Sequence, residues 1–195
     1  MNSNFLKPRA LAINEIYDVL QGKPHKDIEY KNKLIKTLIG IALRRLGEFQ
    51  YYINNYIKKP LKKEHDLTKA ILIIGITQIL YMKHPDYASV NTCVEITKNI
   101  APQHTKLVNG VLRNILRDIQ TKKFKKAKPS HYVPDKISKR WNKHIKPKHI
   151  EEMMIQNIEM PPPLDISISS KENLHQWEKL LKGKIFGDNN IRILN

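Results

Sequence analysis

The chain has 195 residues, with 35 Lys plus Arg against 18 Asp plus Glu, a formal charge of +17. Hydrophobic content of 41% with 27% charged residues lies near globular averages, which excludes wholesale disorder and allows one domain or two small ones. A single cysteine, Cys93, excludes an internal disulfide and a Cys-rich zinc site and fits a reducing compartment.

Residues 8–21 read as a helix: Pro8 suits a first turn, Ala10, Ile13, Tyr17 and Leu20 recur at three- and four-residue spacing, and Gly22 stands where a C-cap glycine belongs. A second helix is expected over residues 27–46, with Asp27 as its cap, Leu34, Leu38, Ile41 and Arg45 along one line, and Gly47 as its stop. Residues 48–59 give a shorter helix that Pro60 ends. Residues 66–82 are apolar around nearly the whole circumference, which predicts a central helix of a bundle. The apolar stretch 70–82, broken by Gly75, Thr77 and Gln78, is shorter than the roughly 18–20 residues that span a bilayer. The start, MNSNFLKPRA, lacks the apolar core of a secretory signal, so a soluble, cytoplasmic protein with no membrane partner is expected. A fifth helix, residues 88–100 with Ser89 as cap, and a sixth, residues 104–120 with Leu107, Val111, Ile115 and Ile119 at four-residue spacing, complete a bundle with short loops.

The character then changes. Residues 121–130, TKKFKKAKPS, hold five lysines and read as a basic linker. Residues 134–145 and 147–158 each start with proline in the first turn of a short helix. LDISIS (164–169) alternates as a strand does, residues 172–181 read as a helix, and residues 191–194 as a second strand. The domain plan is therefore residues 1–120 as a helical domain, 121–133 as a linker and 134–195 as a partial α+β module. Its β–α–β unit leaves an edge and a face to cover.

No catalytic constellation is legible. The seven glycines stand singly, so no glycine-rich phosphate loop exists, and the eight histidines lack ligand spacing, so no metal is expected. Cys93 lies mid-helix in VNTCVEI and reads as a buried thiol.

Charge gives the positive signal. Residues 1–129 carry +14 and residues 130–195 only +3. A chain with 28 Lys and 7 Arg defaults to lysine, so the arginines at 9, 44, 45, 113 and 117 draw notice, because a planar guanidinium suits phosphates and stacked bases. Arg113 and Arg117 lie one turn apart on the sixth helix, and Lys122, Lys123, Lys125 and Lys126 follow. Arg9, Arg44, Arg45, Arg113, Arg117 and these four lysines form the expected RNA-contact set. For Arg44 and Arg45 the alternative is a helix C-cap. Asn109, between apolar neighbours, reads as a buried residue tying helices together.

The segments ALRRLGEFQ (42–50), IIGITQILYMKHPDYASVNTCVEIT (73–97) and LVNGVLRNILRD (107–118) resemble the NusB-type helical domain. More closely, they resemble the version at the N-terminus of the ribosomal RNA cytosine-C5 methyltransferase family RsmB (Sun/Fmu). RWNKHI (140–145), NIEMPPPLDISI (157–168) and QWEKLLKG (176–183) are similar to the region that leads into the methyltransferase domain there. The resemblance implies a mainly α fold, a NusB-like bundle that docks on small-subunit ribosomal RNA, and a following module that packs on a catalytic domain. That domain binds S-adenosylmethionine on a Rossmann-like fold and carries a cysteine nucleophile after proline. Neither occurs in these 195 residues, and Cys93, preceded by Thr92, does not match the nucleophile. The expectation is a non-enzymatic, cofactor-free RNA-binding chain that meets a separately encoded methyltransferase domain. The alternative is an antitermination or assembly adaptor of the NusB type, which binds RNA together with a small ribosomal protein.

Overall fold

Helix α4 (Asp66–Tyr81) is buried from Ala70 through Gln78, as its apolar circumference requires, and the other helices of the bundle are arranged around it. The computed structural model describes residues 3–24, 32–82, 86–132, 135–159, 163–169 and 173–193. Helices α1 (Ser3–Leu20), α2 (Lys33–Arg44), α3 (Leu46–Tyr56), α5 (Asp86–Ile100) and α6 (Thr105–Gln120) all pack on α4. Among them they bury Ile13, Ile16, Leu38, Phe49, Ile53, Leu112 and Ile115 completely or nearly so. Two further helices, α7 (Asp135–Trp141) and α8 (Pro147–Met154), follow, and a π turn, Ile155–Glu159, extends α8.

Several boundaries differ from the sequence expectation. Helix α1 begins at Ser3 and contains Pro8, and Gly22, at φ +83°, closes it. There Gly22 N–H donates to the Val19 carbonyl at 2.9 Å and Lys23 N–H to the Asp18 carbonyl at 3.0 Å, the paired bonds of a Schellman stop. The cap of α2 is Asn32, whose Oδ1 accepts from Leu34 N–H at 2.9 Å, while Asp27 lies outside the described residues. The break between α2 and α3 falls at Arg45 (φ −114°, ψ 22°), not at Gly47. Ser89 lies inside α5 and does not cap it.

By its contacts the chain divides into two units, Met1–Glu151 and Glu152–Asn195. The segment 121–132, expected to be a linker, is packed within the first unit: Ala127 and Tyr132 are buried there. The expected β–α–β unit is also different. Its strands β1 (Leu164–Ser167), β2 (Gly183–Phe186) and β3 (Asn190–Ile193) form an antiparallel sheet in the order β1-β3-β2, with helix α9 (Leu174–Leu181) between β1 and β2 in sequence. Leu164 pairs with Ile193 on one side of β3, and Gly183 pairs with Ile193 on the other. A tight hairpin through Gly187, at φ +66°, makes β2 possible. Residues 183–186, GKIF, begin with a glycine of the kind that closes a helix, and no strand is expected there from sequence.

Candidate nucleic-acid interface

The nine cations expected to meet RNA fall into three environments. Arg9 is only 2% exposed, and its Nε donates to Gln78 Oε1 at 2.6 Å. Gln78 in turn donates through Nε2 to the Ile74 carbonyl at 3.2 Å and reaches Cys93 Sγ at 3.6 Å. Burial holds the Arg9 guanidinium below its usual range, partly offset by Cys93, and burial pushes the Cys93 thiol up to about 12. Arg9 therefore organises the interior against α4 and cannot serve as a phosphate contact. The thiol of Cys93 is neutral, as a buried structural cysteine should be.

Arg45 is likewise held inside the fold and not presented to a ligand. Its side chain is 13% exposed, and Nη1 meets Glu48 Oε2 at 2.9 Å and the Tyr81 hydroxyl at 3.2 Å. The guanidinium carbon lies 4.3 Å from the centre of the Tyr81 ring. Glu48, itself buried, accepts from the hydroxyls of both Tyr52 and Tyr81. Burial first, and then Glu48, raises Tyr81 above the ordinary tyrosine range. Arg45 thus neutralises a buried carboxylate where α2 gives way to α3. Arg44, its neighbour, is exposed at the end of α2.

The third environment is a surface. Arg113 and Arg117 on α6 are exposed, as are Lys122, Lys123, Lys125 and Lys126 beyond it. Among the described residues no carboxylate forms an ion pair with any of the six. Asn109 has a role other than the expected one. Its Oδ1 accepts from Arg113 Nε at 2.8 Å, so it orients the guanidinium one turn along its own helix.

The end of α6 sets the path of the lysines. Lys122 N–H donates to the Ile119 carbonyl at 3.2 Å and Lys123 N–H to the Asp118 carbonyl at 2.8 Å, and Lys122 takes φ 57°. This Schellman stop, with lysine where glycine is usual, turns the chain back over α3 as a strap. Phe124 packs on Tyr52 with ring centres 5.0 Å apart, and Ala127 N–H donates to the Tyr52 hydroxyl at 3.1 Å. His131 stacks on Tyr51 at 4.1 Å. Gly47 admits the strap, because a Cβ there would lie 2.6 Å from the carbonyl oxygens of both His131 and Tyr132.

Between strap, α3 and the end of α6 lies a cleft of about 390 Å³, lined by Tyr51, Asn55, Tyr56, Asp118, Lys123 and Lys125. The Tyr56 hydroxyl donates to Asp118 Oδ2 at 2.8 Å. Burial and this hydrogen bond raise the Tyr56 hydroxyl above its usual range, against the opposing charge of Arg117. Of the six cations, then, Lys123 and Lys125 line the cleft and Arg117 lies close enough to act on it. Tyr51, Asn55, Tyr56 and Asp118 were not singled out from sequence. The available signal was Tyr51 and Asn55 at i, i+4, which puts them on one side of α3. Among the described residues no group of three or more His, Cys, Asp or Glu could hold a metal ion, and no helix is long and apolar enough to cross a membrane.

Residues 6–117, from α1 through nearly all of α6, match the model of the NusB family. Ribosomal RNA small subunit methyltransferase B of Pasteurella multocida is 31% identical over 180 residues, covering 86% of this chain and 40% of that protein. The methyltransferases of the same name from Shewanella oneidensis and Proteus mirabilis are 27% and 28% identical, each over 79% of this chain and over 39% and 36% of their own length. The chain thus spans about 40% of the length of the curated relatives that it matches.

Proposed function

The chain belongs to the NusB family, and from that premise we propose that it is a cytoplasmic RNA-docking module whose ligand is small-subunit ribosomal RNA. The observation that carries this reading is the set of six exposed cations that form no ion pair among the described residues, Arg113, Arg117, Lys122, Lys123, Lys125 and Lys126, gathered along α6 and the strap. Lysines and arginines free of carboxylate partners release counterions when they meet phosphates, which supplies most of non-specific affinity for nucleic acid. The methyltransferase names of the relatives point to ribosomal RNA as the source of those phosphates.

In this reading the chain does no chemistry by itself. The reading assigns no S-adenosylmethionine site to these residues, whose described strands pair antiparallel about β3. Methyl transfer would fall to a methyltransferase domain on other residues, separately encoded or continuous with these. Similarity to the methyltransferases over 180 residues runs well past residue 117, which argues against a free-standing antitermination adaptor. Equilibrium binding tests the reading. The chain should hold a small-subunit ribosomal RNA fragment, and Lys122→Ala, Lys123→Ala, Lys125→Ala and Lys126→Ala together should weaken it by at least about 10-fold. Labelled S-adenosylmethionine should give no methylated RNA with the chain alone. Turnover by the chain, or undiminished affinity of the fourfold variant, would overturn the proposal.

A further inference from the structure

The cleft beside the strap has the chemistry of a nucleobase pocket rather than of a phosphate site. A carboxylate, Asp118, lies in its wall among cations, which disfavours a phosphate inside and favours a group that donates hydrogen bonds. Asp118 Oδ2 is taken up by the Tyr56 hydroxyl, while Oδ1 accepts no hydrogen bond among the described residues. Asn55 adds an amide that both donates and accepts. The aromatic walls are pre-set: His131 stacks on the Tyr51 ring at 4.1 Å, and Asp118 fixes Tyr56 by its hydroxyl. Lys123 and Lys125 are both exposed and both line the cleft, so phosphates on either side of an inserted base would meet them. The volume, about 390 Å³, lies in the range of small-ligand sites, roughly 300–1,000 Å³.

From this geometry we infer that the cleft takes one unpaired base of an RNA strand, of a kind that presents an exocyclic amine to Asp118, with the flanking phosphates on Lys123 and Lys125. Adenine, cytosine and guanine carry such an amine and uracil does not. A paired base cannot enter, because its amine edge is engaged and its faces are stacked. The inference rests on the RNA-docking reading and adds the state and class of the base.

The test uses fluorescence anisotropy of the full chain with four probes. These are a hairpin with an adenine- and cytosine-containing loop, the same hairpin with an all-uracil loop, a fully paired duplex of equal length, and adenosine monophosphate as competitor. The amine-bearing loop should bind about 10-fold more tightly than the uracil loop and the duplex. Asp118→Asn keeps the shape and still accepts from Tyr56, and it should bring the adenine/cytosine-to-uracil ratio toward one. Asn55→Ala, at an exposed position, should lower the same ratio. Equal binding of all three RNAs would overturn the cleft assignment while leaving RNA docking intact. A ratio unmoved by either variant would do the same. Binding of the free mononucleotide as tight as the loop would overturn the strand as ligand, and no binding of any RNA would overturn the docking reading as well.

Discussion

Lys122 is where local strain and surface charge meet. At φ 57° it occupies the left-handed position of the α6 stop, where an L side chain costs roughly 1–2 kcal/mol relative to glycine, less the entropy that glycine loses on folding. Lys122→Gly should therefore raise thermal stability by about 0.5–1 kcal/mol while removing one cation, so chemical denaturation and RNA binding should move in opposite directions. Arg9 shows the reverse combination. Arg9→Ala leaves the Gln78 acceptor unpaired in the interior and should cost about 2–4 kcal/mol. The salt dependence of RNA binding by the remaining folded protein should not change. The burial of Arg9 could have been read from its place in line with Ile13 and Ile16, at i, i+4 and i+7. For Arg45 the local signals were its place in line with Leu34, Leu38 and Ile41 and Glu48 at i+3, while the contact with Tyr81, 36 residues away, had none.

At the scale of elements, the helices of the bundle were legible because each buries one stripe, and α4 because it buries all of its circumference. The strap was not. A polar, lysine-rich segment has the composition of a solvated linker, and its docking depends on Gly47, Tyr51 and Tyr52 of a helix some 75 residues earlier. Gly47 is the most sensitive point of that docking. Gly47→Ala should push His131 and Tyr132 away, since the added carbon would lie 2.6 Å from their carbonyl oxygens. The expected outcome is a loss of about 1–3 kcal/mol and faster tryptic cleavage after the strap lysines, with the helical content of the bundle retained. Unchanged cleavage would mean that the strap is held elsewhere. In the second unit, strand β1 was legible by its alternation, whereas β2, which the hairpin through Gly187 joins to β3, was not.

Across the whole molecule, positive charge is concentrated in the first unit, while large apolar side chains are exposed in both. The first 129 residues carry +14 of the +17, and the six exposed cations of α6 and the strap lie among them. The second unit exposes Leu164, Leu180, Phe186 and Trp177, and the first exposes Tyr87, Ile100 and Leu11. The general character of a basic helical bundle followed by a small α+β module could be read from sequence. Which cations are free could not, because that depends on partners distant in the chain. The claim that joins these observations is that the cations along α6 and the strap are where RNA is held. It is tested most directly by the salt dependence of RNA binding, measured for the unchanged chain and for the variant with Lys122, Lys123, Lys125 and Lys126 replaced by alanine. Each phosphate contact on a single strand contributes about 0.7 to the log–log slope, so the variant should be shallower by up to about 3. Parallel slopes for the two proteins would place the RNA elsewhere on the molecule and contradict the account.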